Sequence, residues 1–224
     1  MQWTNRRKSR PFLSMQSVFC EGEKAGMLRL ILLCHAATDA TRQARFPGDE
    51  PIEERERQRL AIWNPSLPAR MGQLFLSPEL RVQQTAEVLR LPERAEQMEI
   101  TAALADLEYG TWRGRTLADC AQTMKEAVQS WIKDPDAAPH GGESVSALLR
   151  RVSDWLNGVA EHSGGYVMAV THPAVMRAAV IHALGAPVDA FWRIDIAPLS
   201  CVEMNAGGGR WQLRGIIPAH HEPE

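Results

Sequence analysis

Long apolar runs are absent from this chain of 224 residues, and none reaches membrane-spanning length. Cysteine is sparse: Cys20, Cys34, Cys120 and Cys201 are scattered, without the paired spacing that zinc or redox sites use. That usage suits free thiols in a reducing compartment, so a cytoplasmic protein is expected. Charge of one sign is also missing. A formal net charge of −2 provides no electrostatic reason to expect a nucleic-acid partner. No Gly-x-Gly-x-x-Gly follows a strand-like run, and Gly207-Gly208-Gly209 reads as a turn. The sequence has no internal repeat and no long linker, which favours one domain. His220-His221 stands too isolated for a metal site, and nothing in the composition calls for a metal or a cofactor.

What is present begins after an unusual start. Residues 1–26 carry Arg6, Arg7, Lys8 and Arg10 with no apolar stretch of signal-peptide length behind them. They are expected to be a disordered extension, with Met27 as the working start and residues 27–224 as the domain. From there strand-like and helix-like segments alternate, the pattern of a three-layer α/β/α sandwich with a mostly parallel central sheet. Strands are expected at Leu28–Cys34, Leu74–Leu76 and Tyr166–Thr171. Helices are expected at 52–63, 78–91, 117–131, 144–159 and 173–184, with Pro173 suited to a first helical turn. Ser200–Met204 and Trp211–Ile217 flank the glycine-rich turn as a C-terminal hairpin at the sheet edge.

Two histidines stand just after apolar runs. His35 follows Leu30-Ile31-Leu32-Leu33-Cys34, and His172 follows Val167-Met168-Ala169-Val170-Thr171. Ligands of open parallel sheets bind beyond the carboxyl ends of the strands. A single histidine there is more often a packed core residue than a catalyst. Here other elements converge: Arg42 and Arg45 follow His35, and Arg81 falls in the first turns of a helix that itself follows a strand. Helix N-termini favour phosphate through their free N–H groups and positive dipole end. A shared anionic ligand accounts for all of them.

The ordered motifs resemble the histidine phosphatase superfamily, also called phosphoglycerate mutase-like. Its Arg-His-Gly triplet falls on Cys34-His35-Ala36, and its Arg-Phe-x-Gly on Arg45-Phe46-Pro47-Gly48. Its Ser-Pro-x-x-Arg-x-x-Gln-Thr-Ala signature matches residues 77–86. The Leu-x-Glu-x-x-x-Gly-x-Trp-x-Gly segment runs from Leu104 to Gly114, with Asp106 where the family has glutamate. Gly141-Gly142-Glu143-Ser144 and Val170-Thr171-His172-Pro173 complete the set.

The resemblance implies a cofactor-independent phosphatase acting on a small-molecule phosphomonoester. His35 would form a phosphohistidine, Asp106 would serve as proton donor with Glu108 in reserve, and Arg81 and His172 would hold phosphoryl oxygens. Two departures sit beside the nucleophile. Cys34 replaces an arginine, which removes a charged phosphate donor and implies reduced activity, with Arg45 and Arg42 as substitutes. Ala36 replaces a glycine, which would crowd the turn if that position required positive φ.

Three alternatives stay open or fall away. A cysteine-based phosphatase needs Cys-x5-Arg, but Ala40 stands six residues after Cys34, so the thiol reads as a small buried strand-end residue. A non-catalytic phospho-ligand binder of the same fold is the main rival. A phosphomutase ranks lower, since the mutases of the superfamily carry a longer insertion than residues 114–141 supply. The substrate is left open among sugar phosphates, nucleotide-derived phosphates and phosphoproteins, and so is the oligomeric state.

Overall fold

The structure is a computed structural model and describes residues 27–62, 67–161 and 164–219. The expected extension at 1–26 and the pair His220-His221 lie outside the described residues. Strand β1 (Leu28–Cys34) is apolar at every position but Arg29, because both of its faces are covered. Leu30, Leu32 and Cys34 point into one apolar cluster, while Ile31 and Leu33 point into the other. Leu30, Leu32 and Leu33 are fully buried, and each contributes roughly 1.5–3 kcal/mol by leaving water.

β1 pairs in parallel with β4 (Gly165–Thr171) and antiparallel with β5 (Cys201–Gly207). β4 pairs in parallel with β2 (Met71–Leu76), and β2 with β3 (Ala95–Ile100). β6 (Arg210–Ile217) closes the other edge, so the six strands run β3-β2-β4-β1-β5-β6. Helices α2 (Glu54–Ile62) and α3 (Leu80–Val88) place Leu60, Val82 and Ala86 on one sheet face. Helices α6 (Val145–Ala160) and α7 (Pro173–Leu184) place Leu148, Val152, Val175 and Ala179 on the other. The short α1 (Asp39–Arg42) follows β1 and is held by a Thr38/Thr41 capping box. The result is the expected sandwich, with four parallel strands and an antiparallel hairpin at one edge.

Four elements differ from the sequence expectation. The segment expected as one helix over 117–131 is two, α4 (Leu117–Thr123) and α5 (Lys125–Lys133), broken at Met124. The Thr123 hydroxyl donates to the Asp119 carbonyl at 2.9 Å, the back-bond that bends helices. Helix α2 starts at Glu54 rather than Ile52, because Ile52 forms a β-bridge with Thr38 and donates its N–H to Gln84. β3 was not expected at all: its Ala-Glu-Gln-Met-Glu-Ile is largely exposed and shows no buried face. The hairpin turn is only Gly208-Gly209, both at positive φ, and residues 205–207 belong to the strand.

Candidate active site

Three adjacent parallel strands deliver the site. β1 ends into His35, β2 into Ser77 and β4 into His172, and β4 lies between the other two in the sheet. Backbone bonds fix those ends: the His35 N–H donates to the Thr171 carbonyl at 3.0 Å, and the Ser77 N–H to Val170 at 3.2 Å. The two imidazole rings stand 5.1 Å apart.

His35 is almost fully buried, and its Nδ1 lies 2.7 Å from the Ala36 carbonyl. A carbonyl can only accept, so Nδ1 carries the proton and Nε2 keeps its lone pair. Burial, with His172 and Arg81 nearby, pushes the ring well below the usual imidazole range, which keeps it neutral. A neutral imidazole with Nε2 unprotonated is the nucleophilic form. Ala36 is not in the positive-φ region that would have demanded glycine; it is fully buried, and its N–H donates to Thr85 Oγ1 at 3.0 Å.

Helix α3 supplies Arg81, which is 1% exposed. Its Nη1 donates to the Gly48 carbonyl at 2.7 Å and its Nη2 to Asp106 Oδ2 at 2.9 Å, while its Nε is buried without a partner among the described residues. Asp106 Oδ1 accepts the Leu107 N–H at 2.9 Å, and Oδ2 lies 3.6 Å from His172 Nδ1. Glu79, at the start of α3, reaches His172 Nε2 at 3.0 Å, accepts from the Ser77 hydroxyl, and accepts the Asp106 N–H at 3.0 Å. Burial alone would raise its carboxyl, but hydrogen bonds from His172, Ser77 and the Asp106 backbone outweigh that and hold it far below the usual range.

Two glycines let the Asp106 loop close on the loop before α6. A Cβ at Gly142 would lie 1.9 Å from the Glu108 carbonyl oxygen, and one at Gly110 would lie 2.1 Å from that of His140. Gly110 also adopts φ of +49°. Glu143, next along, pairs with Arg151 of α6, whose Nη1 donates to the Ala102, Ala103 and Ala105 carbonyls. The Glu143–Arg151 pair therefore anchors the backbone that carries Asp106.

A cleft of about 320 Å³ opens beside Arg81 and Asp106, and its lining includes Gly48, Glu79, Arg113 and Arg151, while His35 and His172 are not among its lining residues. Among the described residues no cluster of three or more His, Cys, Asp or Glu side chains is placed to hold a metal ion. His35, Arg81, Asp106 and His172 lie together. Glu108 sits at the cleft, half exposed and paired with Arg113. Arg45 and Arg42 do not line it: Arg45 binds Asp39, and Arg42 binds Glu53 at 3.0 Å. Cys34 is fully buried among apolar neighbours, and burial followed by the charge of Asp106 pushes its thiol up.

Comparison with known families decides the kinship. The family model of the histidine phosphatase superfamily (branch 1) matches residues 30–217. The chain belongs to that superfamily. A bifunctional protein of Mycobacterium tuberculosis is 28% identical over 194 residues, covering 84% of this chain and 53% of the relative. The chain thus spans about half the length of that relative. The adenosylcobalamin/α-ribazole phosphatase of Escherichia coli is 26% identical over 190 residues, covering 80% of this chain and 91% of the relative. Among solved structures, the α-ribazole phosphatase of Shigella flexneri superposes with a TM-score of 0.72 at 21% identity, covering 88% and 99% of the two chains. Phosphoserine phosphatase of Entamoeba histolytica in complex with 3-phosphoglyceric acid reaches 0.76 at 15% identity, covering 87% and 98%. These two solved structures share the sandwich described above.

Sequence reasoning named no role for Glu79, Ser77, Glu143 or Arg151. Glu79 had a signal, since it stands two residues before Arg81 inside a recognised motif. The Glu143–Arg151 pairing had none, because Glu143 precedes the α6 N-cap Ser144 and helical spacing does not relate the two.

Proposed function

We propose that this protein is a cofactor-independent phosphatase of a small-molecule phosphomonoester that works through a phosphohistidine on His35. The observation that carries this reading is the His35 ring, buried and neutral, with Nδ1–H held by the Ala36 carbonyl beside His172 and Arg81. In the first step the Nε2 lone pair attacks phosphorus and the ester P–O bond breaks, with Asp106 giving its proton to the leaving oxygen. In the second step water attacks the phosphohistidine, Asp106 takes a proton from that water, and the N–P bond breaks with its electrons returning to Nε2. Protonation of Asp106 frees Arg81 Nη2, which then serves the phosphoryl oxygens together with the otherwise unpartnered Arg81 Nε. The names of the relatives, α-ribazole phosphatase and glucosyl-3-phosphoglycerate phosphatase, support a small phosphate ester as substrate.

A non-catalytic phospho-ligand binder is the second reading, and one observation favours it. The residue beside His35 is Cys34, a buried neutral thiol where the superfamily motif has an arginine, so the site lacks a charged donor that transition-state stabilisation would use. A panel of sugar, nucleotide-derived and aryl phosphates assayed with wild type and His35→Ala separates the two. The phosphatase reading expects turnover that His35→Ala abolishes. Binding without turnover in both proteins supports the binder.

A further inference from the structure

His172 is fully buried beside Glu79 at the N-cap of α3, Asp106 in the loop after β3, and His35 at the end of β1. The uncharged Ser77 hydroxyl at the end of β2 lies 2.8 Å from Nε2. A carboxylate only accepts, so the 3.0 Å contact from His172 Nε2 to Glu79 puts a proton on Nε2. The other nitrogen, Nδ1, is buried and has no hydrogen bond among the described residues, nor does Arg81 Nε. Both lie on residues that flank His35, and an anion bound beside His35 would satisfy both.

We propose that Glu79 is a positioning residue that acts through His172, holding a proton on Nε2 so that His172 meets the phosphoryl group as a doubly protonated cation. This deepens the phosphatase reading and rests on it. A phosphoryl oxygen at Nδ1 requires an N–H there, while Glu79 retains the N–H at the opposite side of the ring. With both protons in place the ring carries a positive charge that faces the phosphoryl group, and Glu79 balances it from behind. Arg81 is the other nearby cation, and Asp106 draws on its charge until protonated. Cys34, a neutral thiol, adds none. His172 therefore supplies charge that position 34 lacks. The second proton comes from solvent, so phosphate binding is accompanied by uptake of one proton.

Glu79→Gln tests this with inorganic phosphate as the probe, since glutamine keeps the shape and the acceptor for the Asp106 N–H. Nitrogen-15 spectra of histidine-labelled protein saturated with phosphate should show two protonated His172 nitrogens in wild type and one in Glu79→Gln. Phosphate affinity of the variant should fall on the order of ten- to a hundredfold at neutral pH, and the deficit should shrink as the solution is acidified. Glu79→Asp, which keeps the charge, should recover part of the loss. A Glu79→Gln protein that binds phosphate as tightly as wild type, or more tightly, overturns the inference, because Glu79 would then merely repel the ligand. A deficit equal at all pH values also overturns it, as a purely structural effect. A singly protonated His172 in phosphate-saturated wild type overturns the inference alone, whereas the phosphatase reading falls separately, on phosphomonoester turnover that does not depend on His35.

Discussion

Replacing Cys34 by arginine sets two effects against each other. Position 34 is fully buried and belongs to the apolar cluster that includes Leu32, Leu104 and Leu107, so a larger side chain overpacks it. Overpacking costs roughly 1–3 kcal/mol. For a chain of this size that lowers Tm by roughly 2–12 °C, at about 2–4 °C per kcal/mol. The opposite effect comes from Asp106, whose charge already reaches the thiol and would draw a guanidinium from this strand end toward the cleft. A charge-assisted contact to phosphate there is worth roughly 1.5–3 kcal/mol, about ten- to a hundredfold in kcat/KM. Cys34→Arg should therefore be less stable and more active on a generic phosphomonoester. Steady-state kinetics and thermal melts of wild type, Cys34→Arg and the uncharged control Cys34→Met test this. The control should lose stability without gaining activity. If Cys34→Arg loses stability and its kcat/KM stays level or falls, the guanidinium does not reach the phosphoryl group and the reasoning fails.

Asp106→Asn should lower the rate on poor leaving groups by about 10² to 10⁴ and spare activated aryl phosphates, as loss of a general acid does; a larger leaving-group effect for Glu108→Gln would transfer the role to Glu108. Gly142→Ala should destabilise more than Gly114→Ala in thermal melts. The first drives a Cβ onto the Glu108 carbonyl, whereas the second meets only the strain of a positive φ in open space, about 1–2 kcal/mol. His35 binds fewer protons folded than unfolded as pH falls below 6.5, so stability should drop there and His35→Gln should remove that part of the slope. Because the folded ring stays neutral through the same range, activity on aryl phosphates should not decline at that pH.

Much of this was legible along the chain because parallel strands buried on both faces are continuous apolar runs. β1 and β4 were readable in this way, and so was the placement of His35 and His172 just beyond them. Arg81 and Asp106 were readable through motif spacing. β3 was hidden because its polar residues lie exposed at an edge, where no face need be apolar. The break at Met124 was hidden because Cys120, Val128 and Trp131 keep helical spacing across it. Sequence proximity of Arg42 and Arg45 to His35 does not reveal that Glu53 and Asp39 pair with them. Glu79 went without a role because its effect depends on a ring brought from 93 residues away.

His35 is the residue proposed to carry the phosphoryl group. Wild-type protein mixed with a radiolabelled phosphomonoester and quenched in alkali, which preserves a phosphoramidate, should retain label on a peptide containing His35. His35→Ala should retain none and should not turn over. Turnover by His35→Ala at the wild-type rate, or label on a different residue, would contradict the claim.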